Sequence, residues 1–309
     1  MADAVSGGAP PAPPRELIAA PHPDAAPLPR AAEHPSGVRV LRGVPYREVP
    51  GSRPLELDLW LPPAASPARP APLVVFVHGG GWRRGRRDDM GLRLREWEPG
   101  PFERIAAAGL AVACVDYRLS GEAVFPAQTD DLRAALRWLA LRGPAAGVDA
   151  GRFVVWGESA GGHLASLLAL DRTAPRAAGA VVWYAPGDLT APRGGPDPRR
   201  PDSPEALLLG GAPAALPERA REASPLAHVH AGAPPFLLLH GAGDTMVDPS
   251  HSTSLAAALR EAGVPVELET VPGADHVWYG LGDAEVEDLF ARSLRFAARL
   301  LATADGSRA

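Results

Sequence analysis

The sequence predicts an α/β fold: a mostly parallel, doubly wound sheet of about eight strands, with helices on both faces. Three observations lead there. Short apolar runs alternate with helix-length segments from about residue 38 to residue 301. That βαβα order packs a parallel sheet between two helical layers through right-handed crossovers. One run, Leu73-Val-Val-Phe-Val77, is apolar throughout, as a central strand buried on both faces must be. Finally, Arg152-Phe-Val-Val-Trp156 runs into Gly157-Glu158-Ser159-Ala160-Gly161 and then into the apolar segment 163–170, a strand, a tight turn and a helix in succession.

The elements follow in order along the chain. Residues 38–46 and 55–61 read as two early strands, the second setting Leu55, Leu57, Leu59 and Leu61 on one face. After the strand at 73–77, a helix near 102–108 leads to a strand at 111–116, and a helix over 129–141 leads to a strand at 153–156. Strands at 178–183, 236–240 and 266–271 complete the sheet, and helices over 248–262 and 284–301 close the chain. Residues 37–303 therefore form one domain, with a short frayed tail at 304–309. Residues 1–36 are rich in Pro and Ala and almost devoid of β-branched and aromatic side chains. Such a segment buries too little apolar surface to offset its ordering entropy and reads as a disordered tail. The alternative is that it wraps the body or a neighbouring subunit. Residues 185–234 interrupt the alternation with a Pro-, Gly- and Arg-rich stretch holding one helical patch, at 204–209. An insertion of that length reads as a lid over a site, with a loose surface excursion as the plain alternative.

Composition narrows the function. With 46% apolar and 22% charged residues in 309, the chain is an ordinary globular protein. A formal charge of −5 argues against nucleic acid or an anionic membrane as partner. All 31 cationic side chains are Arg. The single cysteine, Cys114, rules out an internal disulfide, and its apolar neighbours make it a buried thiol rather than a nucleophile. No apolar stretch is long enough for a membrane span, and no basic segment followed by an apolar one stands at the N-terminus. A cytoplasmic protein acting on a small molecule is expected; a homodimer is left open.

The chemistry centres on Ser159. Gly157 and Gly161, two residues either side of it, let strand and helix approach while the serine sits on a strained turn, the geometry of a nucleophile elbow. About eighty residues upstream, His78-Gly79-Gly80-Gly81-Trp82 ends the strand 73–77. Consecutive glycines let backbone N–H groups turn inward, so Gly79, Gly80 and Gly81, with the N–H of Ala160, are the candidate oxyanion donors. Nine histidines compete for the role of general base. His22 and His34 lie in the tail, His78 belongs to the glycine turn, and His163 packs one helical turn past Ser159. The pair His228 and His230 has no third metal ligand in view. His240 ends a strand and His251 starts a helix, leaving His276, on the loop after the last strand, where the histidine of a Ser…Asp…His order belongs. Of the two aspartates in the loop after strand 236–240, Asp248 precedes Pro249 and an apolar-periodic segment, an N-cap signature. Asp244 is thus the candidate that orients His276; Asp275, adjacent in sequence, has poor geometry for it. In such a triad His276 takes the proton from Ser159 as it attacks an acyl carbonyl, and water later hydrolyses the acyl-enzyme. No metal or organic cofactor is required.

These residues resemble the α/β-hydrolase superfamily, and more narrowly its esterase and lipase branch, related to hormone-sensitive lipase and to the carbohydrate acetyl/feruloyl esterase-like group. The resemblance covers Leu55-Glu-Leu-Asp-Leu-Trp-Leu-Pro62, His78 to Trp82, Asp116-Tyr-Arg-Leu-Ser120, Phe125-Pro-Ala-Gln128, Asp130-Asp131, Gly157 to His163, Pro235-Phe-Leu-Leu-Leu-His-Gly241 and His276. It implies the α/β-hydrolase fold and hydrolysis of short-chain or small aromatic esters. Arylformamidases share the architecture but usually carry a bulky residue where this chain has Gly81. Residues 119–125 also depart from the Leu-Ala-Pro-Glu common among hormone-sensitive-lipase relatives.

Glu158, beside the nucleophile, is a further candidate lining residue, together with Trp82, Trp183, Tyr184, Trp278 and Tyr279; for each aromatic, plain core packing is an equal reading. Arg83, Arg84, Arg86 and Arg87 follow the glycine turn and either attract an anionic substrate or form a solvated loop balanced by Asp88 and Asp89. Three functions compete. They are a serine ester hydrolase, a biosynthetic enzyme acting on an acyl, formamide or thioester intermediate with the same triad, and a non-catalytic ligand-binding homologue.

Overall fold

The computed structural model describes residues 22–192, 197 and 199–302. Nine strands form a single sheet: β1 (Ala32–Glu33), β2 (Arg39–Arg47), β3 (Leu55–Leu61), β4 (Ala71–Val77), β5 (Ala111–Val115), β6 (Val148–Glu158), β7 (Gly179–Trp183), β8 (Phe236–Gly241) and β9 (Val266–Val271). The spatial order is β1-β2-β3-β5-β4-β6-β7-β8-β9. The first three strands and the β3–β5 pair are antiparallel, and every pair from β5–β4 to β8–β9 is parallel.

Alternation within the strands builds two apolar layers. Leu73, Val75 and Val77 of β4 face one side, with α2 (Ala127–Ala146), α3 (Ala160–Ala169) and α6 (Ser250–Glu261) packed over it. Val74 and Phe76 face the other, covered by α1 (Pro101–Ala107) and α7 (Asp283–Ala302). The run 73–77 is buried throughout because both layers cover it. The leucines of β3 share a buried face as expected, but Asp58 and Trp60 on its other face are buried too. β3 lies inside the sheet, and Asp58 is satisfied by the Gly43 N–H at 2.9 Å and by the Arg42 and Arg87 guanidiniums at 3.0 and 2.9 Å.

The expected disordered tail needs correction over its described part. Residues 22–36 lie along the body: β1 pairs with β2, the Pro23 carbonyl accepts from Trp138 Nε1 at 3.1 Å, and Arg142 donates to the Asp24 and Ala26 carbonyls. Backbone carbonyls, which every Pro- and Ala-rich segment keeps, supply part of the anchoring. Side chains add to it: Leu28 and Ala31 pack on the core, and His34 meets Glu103 at 3.1 Å and lies against Trp60. Residues 1–21 and 303–309 lie outside the described residues. Within the insertion, the patch at 204–209 is helix α4 (Pro204–Leu209), capped by Ser203, whose hydroxyl accepts from the Ala206 N–H at 3.0 Å. A second short helix, α5 (Pro217–Glu222), was not expected. Among the described residues no helix is long and apolar enough to cross a membrane.

The chain leaves β4 toward β5 on one side and returns to β6 on the other. At such a reversal the loops beyond the carboxyl ends of the strands diverge and open a crevice. The glycine turn follows β4 and the Ser159 turn follows β6, so the topology itself brings both to the same crevice.

Candidate active site

Ser159 occupies φ 51° and ψ −124°, a left-handed conformation unusual for a residue with a Cβ. The surrounding glycines make it attainable. A Cβ on Gly157 would lie 2.3 Å from the Gly161 carbonyl oxygen, and one on Gly161 would lie 2.1 Å from that of Val77 and 2.4 Å from that of His78. Those contacts are with backbone, which cannot swing aside. Gly161→Ala is therefore expected to cost about 3 kcal/mol or more, the upper range for overpacking, or to prevent folding. A thermal melt checks this, and an unchanged midpoint would contradict it.

The three residues singled out for a triad meet in space. Ser159 Oγ lies 3.0 Å from His276 Nε2, and His276 Nδ1 lies 2.7 Å from Asp244 Oδ2. Asp244 projects from the loop after β8, where its Oδ1 accepts the N–H groups of Met246 and Val247 at 2.9 and 2.8 Å. Burial pushes the Asp244 carboxyl up, but hydrogen bonds from His240 and His276 outweigh that and hold it well below the usual carboxylate range. It thus faces the imidazole as an anion. Asp248 accepts the Ser250 N–H at 2.8 Å at the start of α6, the capping role its sequence position predicts. Asp275 accepts the N–H groups of Thr245 and His276 at 2.7 and 2.6 Å, shaping the loop rather than meeting the ring. His163 is buried between Trp82 Nε1 and the Ala223 carbonyl.

The glycine turn departs from expectation at its first residue. The Gly79 N–H donates to Glu158 Oε1 at 2.6 Å and is not free to serve as an oxyanion donor. The cause is close approach: a Cβ on Gly79 would sit 2.2 Å from that same oxygen. Gly80 and Gly81, at φ 108° and 61°, line the cleft beside Ser159, and among the described residues nothing accepts from their N–H groups or from that of Ala160. Gly80, Gly81 and Ala160 remain the candidate donors.

Glu158 lines the cleft, and its carboxyl braces the glycine turn. Burial raises it from 4.5 to about 7, against the lowering effect of the Gly79 N–H. Between pH 4.5 and 7 the unfolded chain has released this proton while the folded one retains it, so this group makes stability fall as pH rises through that window. Glu158→Gln keeps an oxygen for Gly79 and removes the ionisation. Its stability relative to wild type is expected to increase by about 2–3 kcal/mol between pH 5 and pH 8. Denaturant titrations at the two pH values test this; parallel changes in both proteins would refute it.

The aromatic lining expected from sequence needs correction. Trp82 is buried against His163. Trp183 is buried, donates Nε1 to Ser293 Oγ at 2.9 Å and packs edge-on against Trp156 and Trp278. Trp278 lies beneath Tyr184, and Tyr184 supports the His276 ring at a centroid distance of 4.8 Å. Tyr279 is 67% exposed and outside the cleft wall. Both sides of this sheet are covered, so a large aromatic beside a catalytic position finds a core neighbour before it finds the cleft. The cleft, about 510 Å³, is instead walled by Leu92, Pro204, Met246 and Val277, with arginines at its edge. Met246 lies two residues past Asp244 and Val277 follows His276 directly, a proximity in sequence that could have pointed to them. Leu92 and Pro204 come from distant loops and carried no such signal. The insertion reaches the wall through Pro204 alone among its described residues.

Fold and site together define an α/β-hydrolase of the esterase and lipase branch. The chain belongs to the BD-FAE family, whose model matches residues 57–259. It is similar to esterase LipQ of Mycobacterium tuberculosis, 30% identical over 76% of this chain and 56% of the relative. It is also similar to the ethyl acetate hydrolase of Pseudomonas putida, 32% identical over 74% of this chain and 72% of the relative. Among solved structures, Thermogutta terrifontis esterase 2 phosphonylated by sarin superposes with a TM-score of 0.67, at 26% identity over 83% of this chain and 94% of that one. The chain spans a little over half the length of LipQ and of the related carboxylic ester hydrolase LipM, 56% and 58%.

Proposed function

We propose that this protein hydrolyses small carboxylic esters, with short acyl or aryl groups, through Ser159, His276 and Asp244. The observation that carries the reading is the unbroken hydrogen-bonded chain from Ser159 Oγ through His276 to Asp244, with Ser159 and His276 opening into one cleft. His276 Nε2 takes the Ser159 proton as Oγ attacks the carbonyl, and Asp244 holds Nδ1–H and stabilises the imidazolium. The carbonyl oxygen, now negative, is met by the N–H groups of Gly80, Gly81 and Ala160. His276 passes the proton to the leaving alcohol. Water, deprotonated by the same imidazole, then attacks the acyl-enzyme and restores Ser159. A cleft of about 510 Å³ suits a small ester, and the names of the ethyl acetate hydrolase and LipQ fit the same chemistry.

The test is a p-nitrophenyl ester series from acetate to decanoate. Turnover greatest for the short acyl groups is expected. A folded protein that cleaves none of them overturns the ester reading and turns the search to formamides and thioesters.

A further inference from the structure

The wall of the Ser159 cleft carries an excess of positive charge, although the chain as a whole is at −5. Arg83, Arg84, Arg86 and Arg95 line it against two carboxylates, Asp89 and Glu158. Most arginines of this loop are matched. Arg86 pairs with Asp88 at 2.8 Å, Arg95 with Asp89 at 2.5 Å, and Arg87 with Glu56, Asp58 and Asp116 at 2.9 Å each. Asp88 and Asp89, the carboxylates nearest in sequence, are thereby used, and Glu158 is committed to the Gly79 N–H. Arg83 and Arg84 have no ion-pair partner among the described residues, and both are exposed in the cleft wall. Arg83 folds back over the glycine turn: its Nε lies 3.9 Å from the position a Cβ on Gly81 would take, and Gly81 carries one of the candidate oxyanion donors.

We infer that Arg83 and Arg84 form an anion subsite at the mouth of the cleft, and that the substrate is an ester bearing a carboxylate-like group on its acyl or alcohol portion. The inference rests on the hydrolase reading. Guanidinium forks meet carboxylates bidentately, and a cleft lined by one sign of charge concentrates ligands of the other. A balanced solvated loop would have left these two residues paired like their neighbours. The apolar wall of Leu92, Met246 and Val277 takes the remainder of the substrate.

Two matched pairs test it: methyl hydrogen succinate against methyl butyrate places the charge on the acyl side, and 3-acetoxybenzoate against phenyl acetate places it on the alcohol side. In at least one pair, kcat/KM for the charged member is expected to exceed that for the neutral one by roughly tenfold at low salt, with the advantage shrinking as salt is added. Arg83→Ser and Arg84→Ser should each reduce that ratio, whereas Arg260→Ser, which removes the same charge from the exposed surface of α6, should not. Calorimetric binding of the same esters to Ser159→Ala protein reads the preference without turnover. If no ester is cleaved but the anionic members bind better in an Arg83- and Arg84-dependent way, the hydrolase reading fails and the anion subsite stands. Equal ratios in wild type and both variants, with no preference in binding, overturn the subsite.

Discussion

Ser159→Ala is expected to lower kcat by about 10⁴- to 10⁶-fold while leaving the fold intact. The range follows from what loss of a triad nucleophile costs: the members act as a unit, and the residual rate reflects substrate binding and oxyanion stabilisation alone. The substitution suits this site because Ala has the same Cβ as Ser. The φ of 51° is therefore no more strained, and the contacts of Gly157 and Gly161 are unchanged. The loss to stability is the single hydrogen bond to His276 Nε2, about 1 kcal/mol. Two measurements read the result. Hydrolysis of p-nitrophenyl acetate should disappear, and a fluorophosphonate that labels wild type should mark the peptide containing Ser159 and fail to mark the variant. Retention of more than a few per cent of wild-type turnover in a folded variant would remove Ser159 from the chemistry.

The second large effect is expected at Asp244→Asn, a drop of about 10⁴-fold in kcat with little change in KM. Asn keeps the size and an oxygen for the Met246 and Val247 N–H groups. Its amide nitrogen then faces His276 Nδ1 as a donor, so the ring turns to the tautomer with its proton on Nε2 and no longer accepts from Ser159 Oγ. The same residue contributes to acid sensitivity. Its folded-state acidity is greater than that of an unfolded aspartate, so below about pH 4 the unfolded chain binds more protons and the stability this group provides is lost as pH falls. Wild type should therefore lose more stability than Asp244→Asn between pH 5 and pH 3, as read by denaturant midpoints. Full activity in a folded Asp244→Asn protein would exclude this carboxylate from orienting the base.

Much of the site was legible because its parts are local. The Ser159 turn needs glycines two residues before and after it, and those glycines are visible in the chain. The backbone contacts around Gly157 and Gly161 show why. Asp248 was separable from Asp244 because a residue before a proline and an apolar-periodic segment caps a helix, and its side chain does so here. His276 emerged by elimination and by its place after the last strand. The sequence left the aromatics between cleft and core for the opposite reason: whether Trp183 or Trp278 faces a cleft depends on which layer covers that side of the sheet, a fact no local pattern encodes.

By itself the sequence determined the alternation of strands and helices, the turn around Ser159, the glycine turn and the three residues, Ser159, His276 and Asp244, that meet through hydrogen bonds, because period, turn chemistry and order are properties of neighbours in the chain. Only the tertiary structure decided what depends on distant segments touching. Glu158 reaches back to take the Gly79 N–H out of the oxyanion donors. The stretch at 22–36 is held to Trp138 and Arg142. Arg86 and Arg95 find carboxylates, while Arg83 and Arg84 are left at the mouth of the cleft without one among the described residues. Each of these is a matter of which groups satisfy one another in three dimensions, and hydrogen bonds and ion pairs are fixed by distance in space, not by separation along the chain.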